Sequence, residues 1–212
     1  GKAALRRAAA PLDAARALSE RLDQPYLLGI LSLAEGVVAF MAEERWQKCG
    51  ELCQKSEAIF REHCRAVTWE VSNSKFFFLN SLLLRGELAA LAAELPDALK
   101  SAQDSGDLFA ESFLSLRFSP TIWLAEDSPE RRASELSELS RKVSAREFYL
   151  QHYWERHANV QRLLYAGEGA AALHAHESLW SALPRALLVR MQFNRIELLH
   201  LHRDADLLQI FR

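Results

Sequence analysis

The residues of this chain best suited to chemistry are three cysteines, seven histidines and one His-Arg-Asp run, and their spacing decides which reactions are open. Cys49 and Cys53 lie four apart on one helical face, and Cys64 falls near that face about 16 Å further along at 1.5 Å per residue. Three thiolates so spread cannot share one ion, so the first two are expected to pack as small apolar residues in a helical seam. An odd number of cysteines in 212 residues is no disulfide framework and fits a reducing cytoplasm, where the chain is expected to reside. His174 and His176 are two apart and point to different sides of a helix. His152 with His157, and His200 with His202, are no better placed as metal clamps, so solvated or capping histidines are expected. His202-Arg203-Asp204 has the order of a phosphoryl-transfer loop, but such a loop needs Asn five residues after the Asp, and position 209 is Gln. No Gly-rich phosphate loop and no Gly-x-Ser-x-Gly elbow occurs. The reading is therefore of a chain with no catalytic residue, cofactor or metal ligand, and with Trp46, Trp69, Trp123, Trp154 and Trp180 as wedges between helices.

The elements that would position these residues are helical. Ala, Leu, Glu and Arg are plentiful, β-branched residues are scarce, and no strand alternation stands out. Leu88, Leu91, Ala92, Leu95, Leu99 and Ala102 recur at helical spacing with polar residues between, one buried stripe. Trp46, Cys49, Cys53, Phe60 and Cys64 form another. Tyr26 to Met41, Phe76 to Leu84 and Phe148 to Tyr165 are apolar on more than one side, as befits helices covered on two faces. Polar breaks at Glu43-Glu44-Arg45, Arg85-Gly86-Glu87, Glu126-Asp127-Ser128-Pro129 and Ala166-Gly167-Glu168-Gly169 read as turns inside hairpins, with Gly supplying φ > 0 and Ser before Pro capping the next helix. A second set, Gln24-Pro25, Cys64-Arg65, Gly106-Asp107, Ala145-Arg146 and Pro184-Arg185, separates hairpins. Pro96 and Pro120 should kink or break their helices.

The breaks recur at about 40 residues, a helical-solenoid period. The fold expected is all-α, a right-handed α-solenoid of helical hairpins in a single domain over 1–212. Its hairpins fall at about 25–64, 66–105, 107–144 and 146–183, with a half repeat at 185–212, as a fragment of a longer multidomain protein. Ser32, Ser72, Ser112, Gln151 and Arg190 are polar residues spaced 40, 40, 39 and 39 apart within the inner helices. Glu35, Lys75, Ser115, Glu155 and Asn194 follow three or four positions later on the same faces. A polar group on a helix covered from two sides needs water or a ligand, so these two ladders are expected to line a partner-binding groove.

Composition narrows the partner. With a quarter of residues charged and a net charge of −2, composition shows no basic face suited to nucleic acid, and no nucleic-acid partner is expected. Apolar stretches such as Phe76 to Leu84 fall short of the roughly 20 residues a membrane span needs, so no membrane partner is expected. A protein or peptide, or a neighbouring domain of the same chain, remains.

The run Leu84-Arg85-Gly86-Glu87-Leu88, then Pro96, Leu99 and Ala102, then Gly106-Asp107-Leu108, resembles the helical C-terminal region of large bacterial serine/threonine protein kinases of myxobacterial type. Trp69-Glu70, Trp123-Leu124-Ala125, Leu164-Tyr165 and Leu187-Leu188-Val189-Arg190 fit the same pattern. The resemblance implies a tetratricopeptide-like array that senses or docks partners beside a kinase or ATPase module. The repeat of this chain is longer than the tetratricopeptide unit, and no hairpin carries the full signature of that unit. Two functions from different classes follow: a protein-interaction or regulatory domain, and a sensor that binds a small-molecule or peptide effector.

Overall fold

A computed structural model describes residues 2–128, 150–183, 188 and 192–210. The fold is all-α, and no strand occurs among the described residues. Helix α1 spans Lys2–Leu22, α2 Pro25–Val38, α3 Trp46–His63, α4 Thr68–Leu84, α5 Leu88–Ser105, α6 Leu108–Phe113 and α7 Ser119–Ala125. After the undescribed stretch come α8 Leu150–Tyr165, α9 Gly169–Ala182 and α10 Gln192–Ile210. The second arm expected for the 107–144 hairpin, and the breaks at 145–146 and 184–185, lie outside the described residues.

The helix stops show why the chain turns where it does. At Gly86 (φ +72°) the Gly86 N–H donates to Leu83 O (3.1 Å) and Glu87 N–H to Leu82 O (3.0 Å), a Schellman closure that bonds carbonyls the helix end would leave open. Asp127 and Ser128 repeat it onto Leu124 and Trp123, and Gly167 and Glu168 onto Leu164 and Leu163. A second series of left-handed residues, Asp23, Ala66 and Gly106, has φ between 45° and 68°. Within each series the stops follow one another at about 40 residues, the interval of a helical-hairpin repeat.

Two π-helical turns interrupt the pattern. Ala39–Glu43 extends α2 and ends on Glu44 in the left-handed region. Leu114–Phe118 joins α6 to α7 just before Pro120, whose missing N–H and ring are incompatible with an unbroken ladder. The Ser119 hydroxyl donates to Leu114 O (2.9 Å), bonding a carbonyl there. Pro96, by contrast, lies within a continuous α5.

The chain divides into two compact units, Gly1–Glu94 with Asp104–Ala110, and Leu95–Gln103 with Glu111–Arg212. In the first, α2 packs on α1 and α3, and α3 packs on α4. Small residues let these helices approach: a Cβ on Gly29 would lie 2.6 Å from Phe60, and one on Gly36 2.7 Å from Cys53 Sγ. The Ser56 hydroxyl, in the same seam, contacts Gly29 O (2.9 Å) and Ser74 Oγ (3.0 Å). The stretch Pro25–Glu43 is by length and mean hydropathy (1.7) apolar enough to cross a membrane, unlike the shorter Phe76 to Leu84 from which no span was expected. Here it is the helix covered by α1 and α3, and its Glu35 pairs with Arg16 of α1. In the second unit α9 packs against α8 and α10 around Val160, Leu163, Ala172, Leu201 and Ala205.

Candidate functional site

The polar ladders divide between the two units. In the first, Ser32 and Ser72 are buried. The Ser72 hydroxyl donates to Asp107 Oδ2, while Asp107 Oδ1 caps α6 by accepting from Ala110 N–H (2.9 Å). Glu35 is paired with Arg16, and Lys75 sits between Glu57 (3.2 Å) and Glu94 (3.0 Å). In the second, Ser112 and Asn194 are buried, and Asn194 Nδ2 donates to Leu188 O (3.3 Å). Ser115, Gln151 and Glu155 are half-buried, and Arg190 lies outside the described residues. Buried hydroxyls and amides with internal partners present no surface to a ligand. What Ser72, Lys75 and Asn194 do here is fasten elements within their own unit.

The thiols sit as seam packing requires. Cys49 and Cys53 are fully buried with sulfurs 3.9 Å apart, and Cys49 also lies 3.7 Å from Phe77 O. The hydrogen bond to Cys49, together with burial, pushes the Cys53 thiol far up. Cys64 is half-buried at the end of α3. The tryptophans do not all act as wedges: Trp154 is 2% exposed, Trp46 and Trp123 are half-buried, and Trp180 and Trp69 are 41% and 64% exposed. Periodicity places an aromatic once per hairpin without saying whether its ring meets a neighbour.

In the second unit one carboxylate gathers three elements. Glu197 of α10 receives Arg117 Nη2 at 3.0 Å and Nη1 at 3.4 Å, and the Tyr153 hydroxyl of α8 at 2.9 Å. The Arg117 guanidinium lies over the rings of Phe118 (5.7 Å) and Phe193 (5.2 Å), with its side chain 4% exposed. Burial works to raise the Glu197 carboxyl, but Arg117, His157 and the Tyr153 hydroxyl together outweigh it and hold the group below the usual range. Burial pushes Tyr153 well up and lowers His157, whose ring lies 5.6 Å from that of Tyr153, to about 4. The members of this network bond to one another, which makes it an internal tie.

An accessible cavity of about 260 Å³ lies in the same unit, lined by His176, Glu177, Trp180 and Ser181 of α9 and by Leu199 and His202 of α10. The helical repeat explains the lining: 176 with 180, 177 with 181, and 199 with 202 each share a face. His176 is 2% exposed rather than solvated, and burial lowers its pKa. Its Nε2 lies 2.9 Å from Leu198 O, and its ring stands 5.0 Å from His202 and 6.0 Å from Trp180. His202 Nε2 faces Asp206 (3.4 Å). Nδ1 of both histidines is buried without a partner. Sequence spacing pairs His174 with His176 and His200 with His202 along the chain, whereas the structure pairs His176 with His202 across two helices. In the His-Arg-Asp run, Arg203 turns to Asp204 (2.8 Å) at the surface, so the three side chains do not converge. No family model, curated protein or solved structure matches the chain.

Proposed function

We propose that this chain is a non-catalytic protein-interaction or regulatory domain, a right-handed solenoid of helical hairpins, that holds a helical segment of a protein partner or of a neighbouring domain. The observation that carries this reading is a set of exposed aliphatic side chains on one side of α10, grouped around the exposed Arg203. Ile196, Leu199 and Leu207 fall on one side of that helix at 45%, 53% and 43% exposure, and Trp180 of α9 adds an aromatic at 41%. Apolar side chains scattered singly on a surface need no explanation, but an aliphatic stripe beside a tryptophan is what an amphipathic helix docks on. Tryptophan is also among the residues that dominate binding energy at interfaces. The recurring left-handed stops support the repeat. Attachment to a bacterial serine/threonine kinase or related signalling protein rests on the resemblance of the Leu84–Leu88 and Gly106–Leu108 runs.

A photo-crosslinking amino acid at position 199, introduced in the native host, tests the docking face against the same group at exposed Lys55. The partner captured at 199, once purified, should bind the intact chain, and Leu199→Asp should weaken that binding at least about tenfold, a typical loss for an interface anchor. Equal capture at 199 and 55, or binding unmoved by Leu199→Asp, would refute the assignment. The cavity favours a second reading, a sensor for a small effector.

A further inference from the structure

We propose that the cavity between α9 and α10 is a binding site for a small organic amine, a protonated nitrogen carried on an apolar body. The inference rests on the sensor reading and follows from the hydrogen-bonding sense of each polar group in the lining. Leu198 O can only accept, so His176 Nε2 must carry the proton of the neutral ring, which leaves Nδ1 a bare acceptor. The Asp206 carboxylate lies 3.4 Å from His202 Nε2 and favours a proton on that nitrogen, which turns Nδ1 with its lone pair toward the role of acceptor. The Ser181 hydroxyl spends its hydrogen on Ser178 O (2.9 Å) and has only lone pairs left. Glu177 contributes an exposed carboxylate. Apart from the indole N–H of Trp180, every polar side chain lining the cavity offers an acceptor, and the lining holds no lysine or arginine.

Buried polar atoms are nearly always bonded, yet Nδ1 of His176 and of His202 has no partner. What is missing is a donor. An ammonium brings up to three N–H donors and a positive charge, which suits Glu177 and the face of Trp180. A carboxylate or phosphate would bring a second negative charge beside Glu177 and no donor. Trp180 and Leu199 supply apolar wall, and a cavity of about 260 Å³ has room for one ring and a short tail rather than for a nucleotide. The two histidines do not make a zinc site, because two imidazoles leave a tetrahedral ion half-coordinated and no group of three metal-binding side chains occurs among the described residues. The His202 side chain is 45% exposed, so its ring can turn on its own bond to admit the ammonium.

The test is calorimetric titration of the intact chain at pH 8 with 2-phenylethylamine, 2-phenylethanol, phenylacetate and zinc chloride in turn. The amine should bind at least about tenfold more tightly than the alcohol, and phenylacetate not measurably. Trp180→Leu should weaken the amine about fivefold and Glu177→Gln about threefold, with circular dichroism showing both variants as helical as the parent. Alcohol equal to amine, or phenylacetate the tighter, overturns the amine assignment while leaving a sensor pocket standing. No heat from any organic probe overturns both. Stoichiometric zinc binding that His202→Phe abolishes would show a metal site instead, and amine binding unchanged by Trp180→Leu would show that the amine sits elsewhere.

Discussion

Replacing Arg117 by Met removes the cation from a carboxylate that is nearly as buried as the cation itself. The two side chains are 4% and 16% exposed, the contact is bidentate at 3.0 and 3.4 Å, and Tyr153 holds the remaining lone pairs at 2.9 Å. Breaking a buried pair from one side costs about 3–5 kcal/mol, because the surviving charge keeps its desolvation penalty without its partner. Against a domain stability of roughly 5–15 kcal/mol this is a large loss. With a urea slope near 2 kcal/mol per molar it moves the midpoint by about 2 M. Glu197→Gln should cost a similar amount, and the double variant Arg117→Met with Glu197→Gln less than the sum of the two. The pH dependence is sharper still. In the parent, Glu197 sits below its ordinary 4.5, so its stabilisation is whole above that value and is lost as pH falls through the folded pKa. His157 acts in the same direction: its folded value near 4 lies below the unfolded 6.5, so the unfolded chain takes up a proton first and stability drains between pH 6.5 and 4. In Arg117→Met, the cation no longer opposes burial while the Tyr153 hydrogen bond stays, so the Glu197 pKa rises from its parent value and the deficit relative to the parent should be largest at pH 7 and shrink toward pH 4. Urea titrations at both pH values, followed by circular dichroism, read this out. A deficit under about 1 kcal/mol, or one equal at the two pH values, would refute the account.

Other consequences are quicker to check. Gly29→Ala, which in an open helix would stabilise by up to about 1 kcal/mol, should instead cost about 1–3 kcal/mol, because its methyl would meet the fully buried Phe60 ring at 2.6 Å; a thermal melt decides the sign. Ellman's reagent should label Cys64 in the native chain and reach Cys49 and Cys53 only after denaturation, and rapid native labelling of all three would contradict the seam packing. Trp154→Ala should cost about 3–5 kcal/mol and Trp69→Ala under about 0.5 kcal/mol, a contrast that urea unfolding of the two variants measures.

The helices were legible because their determinants are local. Gly86, Gly106 and Gly167 all take the positive φ their type permits, and Pro25 opens α2 at the first turn, where its missing N–H costs nothing. The left-handed stops at Asp23, Glu44, Ala66 and Asp127 were less visible, since nothing in an alanine or glutamate announces positive φ. The helix ends were legible there because each stop also ends a run of apolar spacing. Helix α1 carries Pro11 within it and has no place among the expected hairpins, though its Arg16 reaches Glu35 on α2.

Long-range chemistry was illegible for a related reason. Arg117 and Glu197 are 80 residues apart, and either type standing alone in a sequence marks a surface far more often than a core. Arg117 lies in the π turn before Pro120, with its guanidinium over the rings of Phe118 and Phe193 and against a carboxylate on α10. The polar ladders obey the same physics from the opposite side. A serine inside an apolar helix does signal a hydroxyl that must find a partner, but the partner can be another part of the chain, as Asp107 is for Ser72 and Glu57 with Glu94 are for Lys75. Polar periodicity in a stacked helix therefore marks fastening points as readily as binding points. An unmet bonding demand separates the two, and by that criterion the two bare nitrogens of His176 and His202 mark a place to look for a ligand.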